Sequence, residues 1–429
     1  MIMAGTMVTV TDTVTEIMTN ITTNGMRNMT TDNVSMETKD GDAGRMPDFT
    51  YFYIDSTNEA EFLYTTVAKI IISIIIPIFF IIGILGNLGL LVVFVRIRTL
   101  RNSINIYLLN IAACDFCFLA TAGPILWTNF SSSPVEDDFY HVGTVACKLS
   151  IAVVDACIVV SYWTFMLVTV DRYLSICWPM KFRNIENPKR AVVLCIILWI
   201  MVCVYKSPVL YFSTLFNVNL EWVNTTLIDP STAPSEVAYC LVCDGRPGQP
   251  TEDACTIINN LYIGEHIILV GMVPIFVFLY FSMIVCLQRQ ISKHGQNDVV
   301  QAKKHVITML MLTTLVLLVT TTPARALFLI LASKTLMISQ TTVVSILYAS
   351  KCLTFVNASV NPFIYITMST GYRNAFKTCF LPRACIGDQQ NGDDQQRLKS
   401  SKATSVLSLN NIGRNNILIQ QPNDEAVLN

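Results

Sequence analysis

Residues 147–173 read CKLSIAVVDACIVVSYWTFMLVTVDRY, a long apolar run that ends in Asp171, Arg172 and Tyr173. The roughly 25 residues from Cys147 to Arg172 would form a helix of about 37 Å, enough to cross a bilayer. Charged residues at the end of such a helix are costly unless water or a partner meets them there. The stretch therefore predicts a spanning helix with Cys147 at one membrane face and Arg172 at the other.

The composition also indicates a membrane protein. Of the 429 residues, 52% are apolar and only 14% are charged, whereas an ordinary soluble domain has about 25% charged residues. The chain contains no GxSxG, HExxH or P-loop pattern, so we predict that it is not an enzyme. The net charge of −1 identifies no partner, and we expect no nucleic acid. The first 20 residues lack the basic start and apolar core of a signal peptide.

Seven apolar runs are each long enough to span a bilayer. They predict an all-α membrane protein, a seven-helix bundle with spans at about 66–96, 104–127, 144–173, 190–213, 259–288, 304–332 and 341–367. We predict four parts: a disordered, glycosylated extracellular N-terminus at 1–64, the seven-helix bundle at 65–370, an amphipathic membrane-surface helix at 371–385, and a disordered cytoplasmic tail at 386–429.

Loop charges predict the orientation of the bundle. The loops after the first, third and fifth spans, and the segment after the seventh, contain clusters of Lys and Arg. Short loops rich in these residues stay in the cytoplasm. The alternate loops are acidic, and the one after the second span contains Glu136, Asp137 and Asp138. We therefore expect a multi-pass protein of the plasma membrane with its N-terminus outside and its C-terminus inside.

Two kinds of covalent modification agree with this orientation. Sequons on the predicted outer side would accept N-linked glycans, and they begin at Asn20, Asn28, Asn33, Asn129 and Asn224. On the inner side, Cys379 and Cys385 lie in the predicted surface helix, and we expect palmitoylation at both.

Polar residues and prolines recur inside the spans, where polar groups are rare and usually face the bundle. They are Asn87, Asp115, Trp199, Pro208, Pro274, Pro323 and the run Asn361-Pro362-Phe363-Ile364-Tyr365. Together with Asp171-Arg172-Tyr173, this ordered set resembles the rhodopsin-like (class A) G-protein-coupled receptors over residues 66 to about 385.

The resemblance implies an activation apparatus on the cytoplasmic side. Arg172 would pair with Asp171 at rest and swing towards a heterotrimeric G protein in the active state. Met180, in the third loop, resembles the apolar plug that docks into the G protein. The implied residues are Asp171, Arg172, Tyr173, Met180, Asn361, Pro362 and Tyr365. We also expect arrestin and a receptor kinase at the C-terminal tail, and membrane lipid around the bundle.

The resemblance further implies a buried pocket for an allosteric sodium ion, and no other cofactor. Its residues would be Asp115, Asn87, Ser161, Asn357 and Asn361. Ser161 precedes Arg172 by 11 residues, which brings both within about 20° on one helical face. The alternative is that Asp115 is a structural buried carboxylate.

A disulfide is implied between Cys147 and the long outer loop, in the oxidising compartment. That loop contains Cys240, Cys243 and Cys255. Cys240 or Cys243 can meet Cys147, and Cys255 can pair with the one left over. The sequence leaves this connectivity open.

Two departures concern how activation proceeds. Where the family usually has Cys-Trp-x-Pro in the sixth helix, this chain has Thr320-Thr321-Thr322-Pro323. Eight residues after Pro274, where a Tyr often steadies the activated Arg, stands Ser282, and Tyr280 lies on another face. The trigger must therefore be built from other residues.

The residues of the outer half narrow the ligand class. Val154 stands where amine receptors have Asp, and Asp155 is rotated from it by about 100°. Phe355 stands where opsins have the retinal lysine. The sequence therefore disfavours both an amine ligand and a photoreceptor.

Two cations, Arg325 and Lys351, lie in the outer halves of their helices. They would suit an anionic ligand group such as a peptide C-terminal carboxylate. Asp155, Glu265 and His266 complete the candidate ligand site. The alternative is that these charges pair with one another, for example Arg325 with Asp155 or Glu265.

Residues 171–183, DRYLSICWPMKFR, most resemble the somatostatin, opioid, galanin and allatostatin receptors. This predicts a receptor that binds an extracellular neuropeptide and activates a heterotrimeric G protein of the inhibitory class. One alternative is a G-protein-coupled chemosensory receptor for a small molecule. A seven-span transporter is a weaker alternative, because it would need ionisable groups forming a path across the bilayer.

Overall fold

The computed structural model describes residues 50–242, 252–294, 298–333 and 340–380. In these ranges, seven helices are long and apolar enough to cross a membrane, which confirms the predicted bundle. They are α1 (Thr66–Arg96), α2 (Ser103–Ser132), α3 (Gly143–Cys177), α4 (Pro188–Phe212), α5 (Glu252–His294), α6 (Asp298–Ala332) and α7 (Gln340–Met368).

Local sequence explains where several of these helices begin. The side chain of Asn102 caps α2 by accepting from the backbone N–H of Asn105 at 3.0 Å. Asn187 caps α4 in the same way, accepting from Lys189 at 2.9 Å, and Pro188 occupies the first turn. Both are favoured arrangements, since a cap satisfies an orphan N–H and proline lacks one.

The helix α3 is the most enclosed of the seven. Its apolar segment is 78% buried, whereas that of α4 is 22% buried. Exposed apolar side chains such as Ile81 of α1 and Ile200 of α4 form the outer, lipid-facing surface of the bundle. Residues 147–173 thus belong to the most buried helix of the bundle.

A three-stranded sheet lies at the end of the bundle where α1 and α3 begin. Its order is β1 (Thr50–Ile54), β2 (Thr214–Trp222) and β3 (Glu236–Leu241), with β1 parallel and β3 antiparallel to β2. Phe52 and Ile54 of β1 are buried in one cluster with Trp222. The prediction of disorder throughout 1–64 is therefore wrong for β1, because alternate residues of this strand pack against an apolar cluster. Asn20, Asn28 and Asn33 lie outside the described residues.

Two links tie the sheet to its surroundings. A disulfide joins Cys147 of α3 to Cys240 of β3. Cys255 is also disulfide-bonded, and Cys243 lies outside the described residues. In the short helix Glu59–Phe62, the carboxylate of Glu59 accepts hydrogen bonds from the backbone N–H groups of Thr226 at 3.0 Å and Leu227 at 2.9 Å. The segment before α1 is thereby anchored to the loop after β2.

Helix α8 (Thr370–Phe380) confirms the predicted amphipathic helix after the seventh span. The rings of Phe376 and Phe380, one turn apart, lie 5.6 Å from each other. Cys379 is partly exposed on this helix, whereas Cys385 and the predicted tail at 386–429 lie outside the described residues.

Candidate ligand and signalling sites

Three buried charged residues meet in the outer half of the bundle, one each from α3, α4 and α5. Lys206 donates to the carboxylate of Asp155 and, at 2.5 Å, to Oε2 of Glu265. The hydroxyl of Tyr262 also donates to Asp155, at 3.3 Å. We call Asp155, Lys206 and Glu265 the charge triad. Both carboxylates share one ammonium, which therefore occupies the position that a cationic ligand group would take between them.

Sequence reasoning missed Lys206. Its signal was present, since a lysine inside the fourth apolar run is expected to face a partner rather than lipid. Asp155 was predicted to lie on a different face of α3 from Val154. The carboxylate of Asp155 is turned towards α4, where it meets Lys206.

Arg325 of α6 is the other buried cation of this region, with 2% of its surface exposed. None of its three guanidinium nitrogens has a hydrogen-bond partner among the described residues. Its Cζ lies 4.8 Å from the centroid of the Tyr162 ring. The considered alternative, in which Arg325 pairs with Asp155 or Glu265, does not occur in the structure because Lys206 binds both carboxylates. A buried guanidinium without an acceptor is unfavourable, so this group is suited to receive an anion.

His266 lies next to the charge triad and links α5 to α6. Its Nδ1 is 2.8 Å from the carbonyl oxygen of Tyr262, which only accepts, so Nδ1 carries a proton. Its ring stacks on Phe328 with centroids 4.1 Å apart. The structure thus brings together four of the five predicted ligand residues: Asp155, Glu265, His266 and Arg325.

The fifth predicted ligand residue, Lys351 of α7, belongs to a different group. Its Nζ donates to Asp137 of the loop after α2 at 3.0 Å and lies 4.4 Å from the Tyr348 ring. The neighbouring Glu136 is largely buried, and burial together with the charge of Asp137 raises its pKa to about 8. Lys351 is therefore already neutralised by the outer loop, unlike Arg325.

A polar pocket lies at the middle of the bundle. Nδ2 of Asn361 donates to Asp115 at 2.8 Å, and Nδ2 of Asn87 donates to the carbonyl of Ala358 at 2.8 Å. The amide oxygens of Asn87, Asn357 and Asn361 are buried and have no partner among the described residues. A carboxylate surrounded by unused amide oxygens is a suitable ligand set for a hard cation, so these residues fit a sodium ion. Ser161 is buried nearby and bonds Cys114, the neighbour of Asp115.

Tyr280 has a role that its position in the sequence did not suggest. Its hydroxyl lies 3.2 Å from Oγ1 of Thr169 on α3 and 2.7 Å from Oγ1 of Thr314 on α6. It also donates to the carbonyl of Leu310 at 3.1 Å. Tyr280 lies on a different face of α5 from Ser282. That face points into the bundle, where the hydroxyl of Tyr280 links α5 to α3 and α6.

Near the C-terminal end of α3, Asp171 forms ion pairs with both Arg172 and Arg190. The first is the resting pair that the family resemblance implied, and the second, from α4, was not anticipated. Met180 lies on the short helix Pro179–Ile185 and is 77% exposed. An apolar side chain so exposed on this side is available to a partner. Tyr173 is half-buried on α3, and Tyr365 is buried on α7.

The two described sequons differ in accessibility. Asn224 is exposed, in a loop with φ of 53°. Asn129 is only 1% exposed, which is unfavourable for a glycan in the folded protein, and its glycosylation stays a prediction. Asn129 is buried because α2 continues to Ser132, past its predicted end at 127, and this extra turn carries it into the interior.

Comparisons with known proteins agree with this architecture. The model of a family described as "7 transmembrane receptor (rhodopsin family)" matches residues 86–365. Galanin receptor 2b of Danio rerio is 24% identical over 330 residues, which are 77% of this chain and 79% of that protein. Galanin receptor 2a of the same species is 24% identical over 315 residues, or 73% and 79%. The type-1 angiotensin II receptor of Gallus gallus is 32% identical over 154 residues, or 35% and 42%.

The family match includes α2 to α6, the last third of α1 and most of α7, and it contains every residue of the polar pocket and of the ion pairs of Asp171. Members of this family are signalling receptors and not enzymes. The chain is a multi-pass membrane protein that belongs to the rhodopsin family of seven-transmembrane, G-protein-coupled receptors.

Proposed function

We propose that this protein is a plasma-membrane receptor that binds an extracellular neuropeptide and activates a heterotrimeric G protein of the inhibitory class. Its N-terminus and the sheet of β1, β2 and β3 face outside in this proposal, as the loop charges predict. The similarity to receptors named for galanin and angiotensin II supports a peptide ligand.

The observation that carries the proposal is Arg325, a buried cation without an acceptor next to the charge triad. A carboxylate of the ligand would give it the charge-assisted, two-point hydrogen bonds that guanidinium groups favour. The triad disfavours an amine ligand, because the ammonium group of Lys206 already occupies the position between Asp155 and Glu265. A peptide supplies such an anion either at its C-terminus or on an acidic side chain.

On the cytoplasmic side, the proposal assigns G-protein contact to Arg172 and Met180. It assigns arrestin and a receptor kinase to the C-terminal tail, and lipid contact to α8 through palmitoylation at Cys379 and Cys385. An allosteric sodium ion would be held by Asp115 and the amide oxygens of Asn87, Asn357 and Asn361. Bound there, it would neutralise the carboxylate and favour the resting packing of α2 against α7.

The test is to express the chain with a promiscuous G protein and screen a library of neuropeptides. Each peptide is supplied in two forms, with a free and with an amidated C-terminus. A response to a peptide supports the proposal, and a preference for the free form places the anion at the C-terminus. Sensitivity of the response to pertussis toxin, with the native G proteins, tests the inhibitory class. No peptide response from receptor that reaches the cell surface would contradict the proposal.

A further inference from the structure

The sixth helix lacks the aromatic residue on which this family usually relies. Thr321 stands at the place of the tryptophan, between Thr320 and Thr322 and two residues before Pro323. A threonine is far smaller than a tryptophan, and protein interiors are closely packed. Another side chain must therefore occupy the space between α3 and α6 at this level.

Tyr162 of α3 occupies that space. It is completely buried, and its hydroxyl forms a hydrogen bond with Oγ1 of Thr321. The hydroxyl of Thr321 also donates to the carbonyl of Leu317 on its own helix, at 2.5 Å. Because a threonine hydroxyl has only one proton to donate, Tyr162 must be the donor to Thr321. The aromatic group at this level thus comes from α3, and a single hydrogen bond holds it to α6.

The face of the same ring contacts the candidate anion-binding group. Cζ of Arg325 lies 4.8 Å from the ring centroid of Tyr162, within the range of a cation–π contact. Arg325 follows Thr321 by four residues, which is about one helical turn nearer the outer side. Tyr162 therefore touches α6 at two successive turns, through its hydroxyl at one and through its ring at the other.

We propose that Tyr162 is a positioning residue that couples Arg325 to the packing of α3 against α6. An anion that binds the N–H groups of Arg325 offsets the positive charge of the guanidinium and so weakens its cation–π contact with the ring of Tyr162. When that contact weakens, only the hydrogen bond between Tyr162 and Thr321 restrains α6 at this level. The inference rests on the proposed function, because it takes Arg325 as the group that meets the ligand.

The state of the cytoplasmic end fixes the sign of the effect. Asp171 and Arg172 are paired in this structure, which is the resting arrangement. The hydrogen bond between Tyr162 and Thr321 therefore belongs to the resting state, and its loss should raise signalling without ligand.

The test measures basal nucleotide exchange of a G protein on membranes that contain the receptor, with no peptide added and with rates divided by surface receptor. Tyr162→Phe keeps the ring and removes the hydroxyl, whereas Thr321→Val removes the acceptor at nearly constant volume. Each is expected to raise the basal rate about 2- to 10-fold, the factor that one hydrogen bond supplies. The double variant should rise no further than the larger single effect, because both changes break the same bond.

Two matched variants separate this role from a general packing effect. Thr321→Ser keeps a hydroxyl at the same place and should rescue the low basal rate. Thr320→Val removes a hydroxyl that, among the described residues, bonds to carbonyls of its own helix, and it should leave the rate unchanged. If Tyr162→Phe fails to reach the surface, the comparison of Thr321→Val with Thr321→Ser decides the question.

The proposal is overturned if Tyr162→Phe and Thr321→Val leave the basal rate at or below that of the unaltered receptor. It is also overturned if their effects multiply in the double variant, or if Thr320→Val raises the rate equally. No ligand enters this measurement. A failed peptide screen would therefore contradict the proposed function while the coupling through Tyr162 is still judged by the basal rates.

Discussion

The ammonium group of Lys206 lies 2.5 Å from the carboxylate of Glu265 and donates to Asp155 as well, so one cation serves two buried anions. This sharing determines which charged groups of the cavity are paired. It engages both acidic side chains with Lys206, and it leaves the guanidinium group of Arg325 without a hydrogen-bond acceptor among the described residues. The proposed preference for an anionic ligand follows from how this triad pairs, more than from the number of charges in the cavity.

We predict that Lys206→Met destabilises the receptor strongly, because it leaves Asp155 and Glu265 buried without a counter-charge. Removing one partner of a buried ion pair costs about 3–5 kcal/mol. The thermal unfolding midpoint of the detergent-purified receptor and its surface expression are the measurements. A variant that neutralises all three residues, Asp155→Asn with Lys206→Met and Glu265→Gln, should recover most of the loss. Equal midpoints for Lys206→Met and the unaltered receptor would show that the triad is not paired as described.

We predict that Cys240→Ser weakens the anchoring of the outer sheet. The disulfide to Cys147 closes a loop with a sequence separation of 93 residues, and a loop of that length stabilises the folded state by about 4–5 kcal/mol in the chain-entropy model. A lower unfolding midpoint and reduced surface expression are expected. Cys203→Ser, at an exposed free cysteine, is the control and should have no effect. The prediction fails if both variants behave alike.

Glu59 should make the outer segment sensitive to acid. Burial alone would raise its pKa, but hydrogen bonds from Thr226 and Leu227 outweigh that effect and hold the pKa below its ordinary value. The carboxylate therefore stabilises the fold above the unfolded pKa of about 4.3, and this contribution is lost as pH falls through the lower folded pKa.

Hydrogen exchange at the amides of Thr226 and Leu227, corrected for the intrinsic pH dependence, measures this loss. Protection should decrease as the solution becomes more acidic than about pH 4.3. Glu59→Gln should show weak protection that no longer depends on pH. Strong, pH-independent protection in the unaltered receptor would contradict this role of Glu59.

Glu136 should have the opposite dependence. Burial and the charge of Asp137 raise its pKa to about 8, above the unfolded value of about 4.3. Folding therefore takes up a proton between these values, and stability falls as pH rises through this window. We predict that Glu136→Gln raises the unfolding midpoint at pH 8 and has little effect near pH 4. An equal effect at both pH values would show that the carboxyl group does not titrate in this way.

The bundle could be predicted because its determinants are local. A spanning helix needs only enough consecutive apolar residues, and orientation needs only the loop charges. The proximity of Asp115 and Asn361 followed from the family resemblance, and the structure brings them to 2.8 Å. The pair of Asp171 with Arg172 was expected on the same ground.

The features that sequence reasoning missed depend on contacts between distant parts of the chain. β1 forms because Phe52 and Ile54 pack in one cluster with Trp222, which is about 170 residues later in the chain. No local sequence pattern reveals this contact. The pairing of Lys206 depends on which face of α4 meets α3 and α5. The contact of Tyr162 with Thr321 requires the side-chain direction as well as the helical phase. The burial of Asn129 depends on one extra turn of α2 beyond its predicted end.

The most direct test of the account is the potency of an activating peptide, identified in the library screen, at the receptor with Arg325→Gln. Losing a charge-assisted hydrogen bond to the ligand should lower potency about 10- to 100-fold. Surface expression and the unfolding midpoint should not fall, because Arg325 has no acceptor in the described structure. Arg98→Gln, at an exposed residue between α1 and α2, is the control and should leave potency unchanged. Unchanged potency in Arg325→Gln would contradict the assignment of Arg325 as the anion-binding group.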